Sequence, residues 1–164
     1  MIFRLFQIVL ALLVLSACDT PPPGTDGQKI YWIRSSDSAA VQFRMLDSIN
    51  ALRGAVRAPS VELNAALNAA AATHARDMSL QNRPWHFGSD GSSPIDRAVR
   101  AGYTGPFLGE TISETFESEL ETLAAWMERP DTRAVLLDDR AKSIGVSWFQ
   151  EKSGKLWWVV TVGG

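Results

Sequence analysis

The stretch WHFGSDGSSPIDRAVRAGYTGPFLGETI, residues 85–112, decides the fold because sequence signals for turns and helix ends are densest there. A glycine-rich turn follows His86, since glycine adopts backbone angles that other residues avoid. Ser93 and Pro94 then predict a short helix, with a capping hydroxyl and a proline at the first helical position. Another glycine ends that helix. The turn and the short helix bring the chain back on itself, so Glu110 is expected beside His86.

Helical periodicity predicts two helices before this stretch. The first begins near Ser38 or Ala39 and ends by Gly54, with apolar residues recurring along one face. Asn64 caps the second helix, whose inward face includes His74. We interpret His74 as a core or boundary histidine that bonds to the backbone, in preference to a ligand.

The C-terminal half predicts another long helix, a helical turn after a proline, and three strands. The helix is expected at residues 117–127, the turn at 130–137, and the strands at 108–113, 143–149 and 156–162. The last two strands form a hairpin because apolar, β-branched and tryptophan residues alternate there. The sequence therefore predicts an α+β fold with a small antiparallel sheet packed between helices.

Size and charge limit the classes of protein to consider. With 164 residues, 18.0 kDa and 46% hydrophobic residues, the chain suits one domain with a proper core, and a monomer is expected. The formal charge of −2, from 16 basic and 18 acidic residues, provides no basic patch for phosphate backbones. Nucleic acid is therefore not an expected partner.

The N-terminus predicts export and anchoring. Residues 1–17 have the charge and the short apolar core of a secretory signal peptide. The sequence Leu-Ser-Ala-Cys ending at Cys18 resembles a bacterial lipobox, which implies cleavage before Cys18 and lipidation of its thiol. Cys18 is the only cysteine, so an intramolecular disulfide is impossible. Asp19 resembles the signal that retains lipoproteins in the inner membrane, on its periplasmic side, and this location is favoured over the outer membrane.

Composition divides the rest of the chain into a tether and a domain. Residues 18–37 are expected to form the lipidated N-terminus and a flexible tether, because the proline- and glycine-rich part has nothing apolar to bury. Residues 38–164 form the predicted domain. The segment 29–34, KIYWIR, is either a short strand or a segment laid on the domain surface.

The central stretch resembles the bacterial branch of the CAP superfamily, the cysteine-rich secretory and pathogenesis-related-1-like domains. The family pattern SHxGxDGxxPxxRxxxAGYxxxxxGEN stands here as WHFGSDGSSPIDRAVRAGYTGPFLGET. The resemblance extends from about Met45 to the C-terminus and implies a single CAP-like α-β-α sandwich. Two departures stand out: Thr111 replaces the asparagine of Gly-Glu-Asn, and Asp131-Thr132 replaces a downstream Gly-His.

The resemblance also bears on metal binding. Family members that bind a divalent metal resemble one another in using two histidines and two nearby glutamates in a cleft. His86 and Glu110 match the first two positions, Glu128 is a candidate for the second glutamate, and Thr132 stands at the second histidine position. Because a hydroxyl is a poor zinc ligand, we expect no resident cofactor and at most weak divalent-metal binding by His86 and Glu110.

Three functions remain open at this point, and the candidate cleft residues are His86, Glu110, Thr111, Glu128 and Thr132. The favoured function is a non-catalytic binding module for a lipid or sterol, a cell-wall glycan or a protein of the envelope. The second is a hydrolase with His86 as general base, Glu110 as its orienter, and Ser89, Ser92 or a water as nucleophile. The third is a structural envelope protein in which His86 and Glu110 hold the central stretch shut.

Overall fold

A four-stranded mixed sheet forms the centre of the protein, whose computed structural model describes residues 30–115 and 117–164. The strands are β1 (Glu62–Leu63), β2 (Phe107–Thr115), β3 (Ser143–Gln150) and β4 (Leu156–Gly163), in the order β1-β3-β4-β2. The helices are α1 (Ser38–Ala55), α2 (Ala65–Gln81), α3 (Pro94–Arg100), α4 (Glu119–Glu128) and α5 (Pro130–Leu136). The predicted signal peptide and lipobox lie outside the described residues. In the described ranges, no helix combines the length and apolar character needed to cross a bilayer.

Strand β4 lies in the middle of the sheet, and helices cover both of its faces. Every residue of β4 is buried. Successive side chains of a strand point to opposite faces, so Leu156, Trp158, Val160 and Val162 pack with α1, α4 and α5. Trp157 and Val159 pack with the alanines of α2. The result is a three-layer α-β-α sandwich.

The predicted α+β class and the sandwich are confirmed. The hairpin of β3 and β4 and the three antiparallel strands are as expected. Strand β1 was not predicted, because two residues are too few to show an alternating pattern. It runs parallel to β3 and makes the sheet mixed rather than wholly antiparallel.

Helix α2 lies unusually close to the sheet. Asn64 caps its start, as predicted, by accepting from the backbone N–H groups of residues 66 and 67. A Cβ at Gly145 would stand 2.3 Å from the Leu67 carbonyl carbon, so only glycine fits beneath this turn of α2. Thr161 in β4 donates to the Leu67 carbonyl oxygen at 3.2 Å. These contacts fix the helix that carries His74 onto the sheet.

The segment that precedes α1 lies on the domain surface, which is one of the two predicted alternatives. The Ile33 N–H donates to Gln150 Oε1 at 3.0 Å, and Gln150 Nε2 donates to the Tyr31 carbonyl oxygen at 2.7 Å. Tyr31 and Ile33 are partly buried against the core. The packed body therefore includes residues that the predicted boundary at residue 38 assigns to the tether.

Candidate functional site

A buried carboxylate, Glu110, is the centre of the site. It lies in β2 opposite Thr161 of β4, with its side chain on the face covered by α2 and α3. Only 2% of this side chain is exposed. A carboxylate in such a place costs free energy unless it is paired and hydrogen-bonded. Arg97 and His86 meet this requirement, and His74 lies next to them.

Arg97 is the cation that pairs with Glu110. Its Nη2 donates to both carboxylate oxygens, at 3.1 and 2.9 Å, and its Nη1 donates to the carbonyl oxygens of His86 and Ser92, at 3.0 Å each. The short helix α3 presents this side chain because Ser93 and Asp96 form a capping box at its start. Arg97 thus ties the helix, the strand and the loop of residues 86–92 together, and it is itself buried.

His74 lies beneath this pair, fully buried in α2. Its Nε2 is 2.8 Å from the Trp85 carbonyl oxygen and 3.7 Å from Glu110 Oε1. The backbone contact agrees with the prediction for this residue. Because a carbonyl only accepts, Nε2 carries the proton, and Nδ1 is left buried with no hydrogen-bond partner. Burial lowers the pKa of His74, and the nearby Glu110 charge opposes this only in part.

His86 is the member of the cluster that reaches solvent. Its Nδ1 is 3.0 Å from Glu110 Oε1, as the sequence predicts for this pair, and half of its side chain is exposed. A carboxylate accepts but does not donate, so Nδ1 carries the proton and the Nε2 lone pair of the neutral ring faces outward. Glu110 therefore orients a histidine that offers an acceptor to the surface.

The exposed side of His86 opens onto a groove of about 490 Å³ that runs along the free edge of β2, which we call the β2 groove. One wall is the loop from Pro84 to His86, and the other is the junction of α4 and α5. The groove is lined by Pro84, Trp85, His86, Ile112, Ser113, Glu114, Arg129, Asp131 and Thr132. Six of these nine residues are polar, so the groove suits a ligand that forms hydrogen bonds.

The charges in the β2 groove are paired with one another. Arg129 Nη2 lies 2.8 Å from Asp131, and Lys155 Nζ lies 2.8 Å from Glu114. The hydrogen bond from Arg129 lowers the pKa of Asp131 to about 2. These pairs leave the groove with no strong excess of either charge.

The structure brings three of the five candidate cleft residues together. His86 and Thr132 line the β2 groove, and Glu110 lies directly beneath His86. Thr111 does not reach it, because adjacent residues of β2 point to opposite faces and Thr111 is fully buried. Glu128 is exposed at the end of α4 and lies outside the groove lining.

The arrangement is a poor match for a metal ion. Both oxygens of Glu110 accept from Arg97, and one of them also accepts from His86. Thr132 donates its hydroxyl to the Trp126 carbonyl oxygen. This leaves His86 Nε2 as the one uncommitted nitrogen beside a fixed cation, whereas zinc sites generally use four ligands. Among the described residues, no group of three His, Cys, Asp or Glu side chains could hold a metal.

Arg97 is the site residue that the sequence does not predict. Arginine is mostly exposed in proteins, so a single arginine in a short helix gives no sign of burial. The available signal was electrostatic. A glutamate buried beside a histidine requires a permanently charged cation nearby. Helix α3 is the element of residues 85–112 expected to fold over β2, so an arginine in α3 was the natural candidate for that cation.

Comparisons with known proteins agree with this fold. The model of the cysteine-rich secretory protein family, CAP, matches residues 46–162. A search of the curated proteins gave no match. Among solved structures, an outer surface protein of Borrelia burgdorferi is similar, with a TM-score of 0.72 and 17% identity over 82% of this chain and 98% of that one.

Two longer bacterial proteins are also similar. An extracellular protein of Bacillus anthracis that contains an SCP domain has a TM-score of 0.71 and 17% identity, over 82% of this chain and 45% of its own. A cysteine-rich secretory protein of Staphylococcus aureus has a TM-score of 0.66 and 11% identity, over 84% of this chain and 42% of its own. This chain thus spans less than half of each of these two proteins, and the likeness concerns the fold.

Proposed function

The chain belongs to the cysteine-rich secretory protein family, and from this membership we propose that it is an envelope protein that binds a polar ligand in the β2 groove without catalysing a reaction. One observation carries the proposal. Glu110 and Arg97 hold His86 so that a half-exposed imidazole presents its Nε2 acceptor to a groove lined mainly by polar residues. A buried ion pair that fixes one exposed side chain is a typical support for a recognition site.

The polar lining favours two of the three ligand classes that the sequence leaves open. A glycan or a polypeptide supplies the donors and acceptors that His86, Ser113 and Thr132 can bond. A lipid chain or a sterol needs a predominantly apolar pocket, as small-molecule sites for such ligands usually are. Trp85 adds one aromatic ring at the loop wall, where Arg83 lies over it at 3.8 Å.

The hydrolase alternative has less support from the contacts. Hydrolysis with His86 as the general base needs a nucleophile within reach of the imidazole. Ser89 donates to Asp77 at 2.6 Å, Ser92 is buried, and the Thr132 hydroxyl is bonded to a backbone carbonyl. These engagements favour recognition over catalysis. The structural alternative applies to Glu110, which is buried, more than to His86, whose imidazole is half exposed.

The proposed location is the cell envelope, reached through a signal peptide at residues 1–17 and a lipid on Cys18. Similar structures include an outer surface protein and an extracellular protein, which supports an extracytoplasmic setting. The inner membrane, on its periplasmic side, is favoured by Asp19. Metabolic labelling with a fatty acid tests the anchor: Cys18→Ala should lose the label, and a labelled variant would refute lipidation at this residue.

Binding to separated envelope fractions tests the function. Wild-type protein, His86→Ala and the control Leu80→Ala are each mixed with cell-wall sacculi, with vesicles of extracted lipid and with detergent-solubilised membrane proteins. Leu80 is a suitable control because it is 76% exposed and lies outside the groove. We expect binding to sacculi or to membrane proteins that His86→Ala weakens and Leu80→Ala does not. Equal binding by all three proteins, or binding to lipid vesicles alone, would contradict the proposal.

A further inference from the structure

The two edges of the sheet are completed differently. At the β3 edge, β1 pairs with Ser143 and Ile144. Two side chains then bond to the backbone groups of Val146. Asn68 Oδ1 accepts from the Val146 N–H at 2.6 Å, and Gln42 Nε2 donates to the Val146 carbonyl oxygen at 2.8 Å. This edge is closed to another strand there, which is how proteins usually treat an exposed edge.

The β2 edge is open where it enters the β2 groove. Trp126 Nε1 donates to the Ile112 carbonyl oxygen at 3.0 Å, and β4 occupies the other side of the strand. The backbone groups of Ile112 therefore point away from β4. In an antiparallel strand alternate residues share this direction, so Glu114 also points outward while Ser113 bonds to β4. Within the part of the chain that the structure describes, the N–H groups of Ile112 and Glu114 have no acceptor.

The surroundings of this open edge form a slot. Helix α5 covers the start of β2, where Val135 packs over Gly109, and Trp126 covers the Ile112 carbonyl. From Ile112 to Glu114 the strand lines the β2 groove, with Trp85 and His86 on the α2 side and the residues around Arg129 on the other. Two free donors therefore lie about 7 Å apart between two walls, at the repeat of alternate residues in a strand.

We propose that an extended segment of a partner polypeptide adds to the free edge of β2 in this slot. Its carbonyl oxygens accept from the N–H groups of Ile112 and Glu114, and its alternating side chains contact His86 on one wall and Thr132 on the other. This inference rests on the proposed function, and it identifies the polar ligand as a peptide chain that pairs through its backbone.

The spacing of the donors favours a peptide over the other occupants. Carbonyls of every second residue in an extended chain repeat at the same interval as the free N–H groups of β2. The Ile112 carbonyl is already bonded to Trp126, so the slot is richer in donors than in acceptors and suits a row of carbonyls. A second copy of this chain would have to pair through its own β2 edge. The loop of Pro84 and the residues around Arg129 flank that edge in both copies and stand in the way of such pairing.

Hydrogen exchange followed by NMR tests the open edge on the purified full-length protein. In the free protein the amides of Ile112 and Glu114 should exchange much faster than those of Thr111 and Ser113, which face β4. Slow exchange at Ile112 and Glu114 in dilute protein would show that the edge is already closed. Protection that grows with protein concentration would assign the edge to a second copy. Either result would overturn the inference.

A display library of short linear peptides of random sequence then serves as the probe. Peptides enriched on the wild-type protein should bind Glu114→Pro about fivefold more weakly than Glu114→Ala, because only proline removes the outward N–H. Both variants lose the carboxylate that pairs with Lys155, so Glu114→Ala is the matched control. Proline is tolerated where the N–H of an edge strand faces solvent, and equal melting temperatures would confirm that both variants fold.

Bound peptide should also protect the Ile112 and Glu114 amides and leave the Ser113 amide unchanged. Failure to enrich any linear peptide, or equal binding by both Glu114 variants without amide protection, would overturn the inference. If sacculi or membrane proteins still bind in a manner that depends on His86, the proposed function stands and only the peptide assignment fails. If no envelope fraction binds at all, the proposed function fails as well.

Discussion

The helical layers on the two faces of the sheet bury different kinds of side chain. Under α1, α4 and α5 the core is large and apolar, and its members include Met45, Leu136 and Trp158. On the other face, the buried apolar residues that α2 and α3 contribute are mostly alanines, and the space beside them is occupied by the buried polar cluster of His74, Arg97 and Glu110. One face therefore supplies most of the hydrophobic stabilisation, while the other supports a site.

Each face also buries one arginine, and their partners show the same contrast. Arg53, in α1, donates to the carbonyl oxygens of Pro59, Leu136 and Ala141, which joins loops to the core. Arg97 donates to a carboxylate that in turn holds a half-exposed histidine. Arg53 therefore has a structural role, whereas Arg97 supports the side chain on which the proposed binding function depends.

The largest expected effect comes from removing the cation of the polar face. Arg97→Met leaves Glu110 buried without its partner, and breaking such a pair typically costs about 3–5 kcal/mol in the free energy of unfolding. Arg100→Met is the matched control on the same helix, since its pair with Asp90 is exposed and screened by solvent, so its loss should change stability little. Chemical denaturation of both variants measures the difference. Similar small losses would mean that the buried pair contributes little to the fold.

The close approach of α2 predicts a smaller effect. Gly145→Ala places a methyl group against the backbone of Leu67, and overpacking of this kind typically costs about 1–3 kcal/mol. Gly54→Ala is the control, because a Cβ there meets nothing within 4 Å and alanine favours a helix by roughly 0.5–1 kcal/mol. Thermal unfolding should therefore shift in opposite directions for the two variants. A shift in the same direction would show that α2 has room to move.

The smallest effect is a dependence on pH. The lowered pKa of His74 means that the folded protein keeps it neutral while the unfolded chain binds a proton below its ordinary pKa of about 6.5. Stability should fall as pH falls below that value, by at most about 1.4 kcal/mol per pH unit, and should not depend on His74 above it. His74→Gln should flatten this part of the curve. Equal slopes for both proteins would show that His74 does not titrate on unfolding.

Most of the fold could be predicted from the sequence because its elements carry strong local signals. Asn64 and Ser93 cap helices as expected, and the hairpin follows from alternation in β3 and β4. Strand β1 was missed because its two residues pair only through the position that tertiary packing gives them. The sequence did not decide between a strand and a surface segment at Tyr31 for a similar reason, since the contacts of this residue are with residues distant in sequence.

The candidate site was predicted only in part, and the limits are physical. The spacing within the central stretch and the family resemblance brought His86 and Glu110 together, as the structure has them. Thr111 was placed in the cleft from its position in a motif, but the alternation of β2 turns it to the opposite face. Arg97 was missed because burial of a charge depends on a partner that local sequence does not reveal.

The central claim is that Glu110 and Arg97 fix His86 with its Nε2 acceptor facing the β2 groove. The tautomers of the two histidines test this most directly, through the ring-nitrogen shifts in a long-range ¹H–¹⁵N NMR spectrum of the domain at a pH where both rings are neutral. We predict a proton on Nδ1 of His86 and on Nε2 of His74. A proton on Nε2 of His86 would mean that Glu110 does not hold the ring, and would contradict the account.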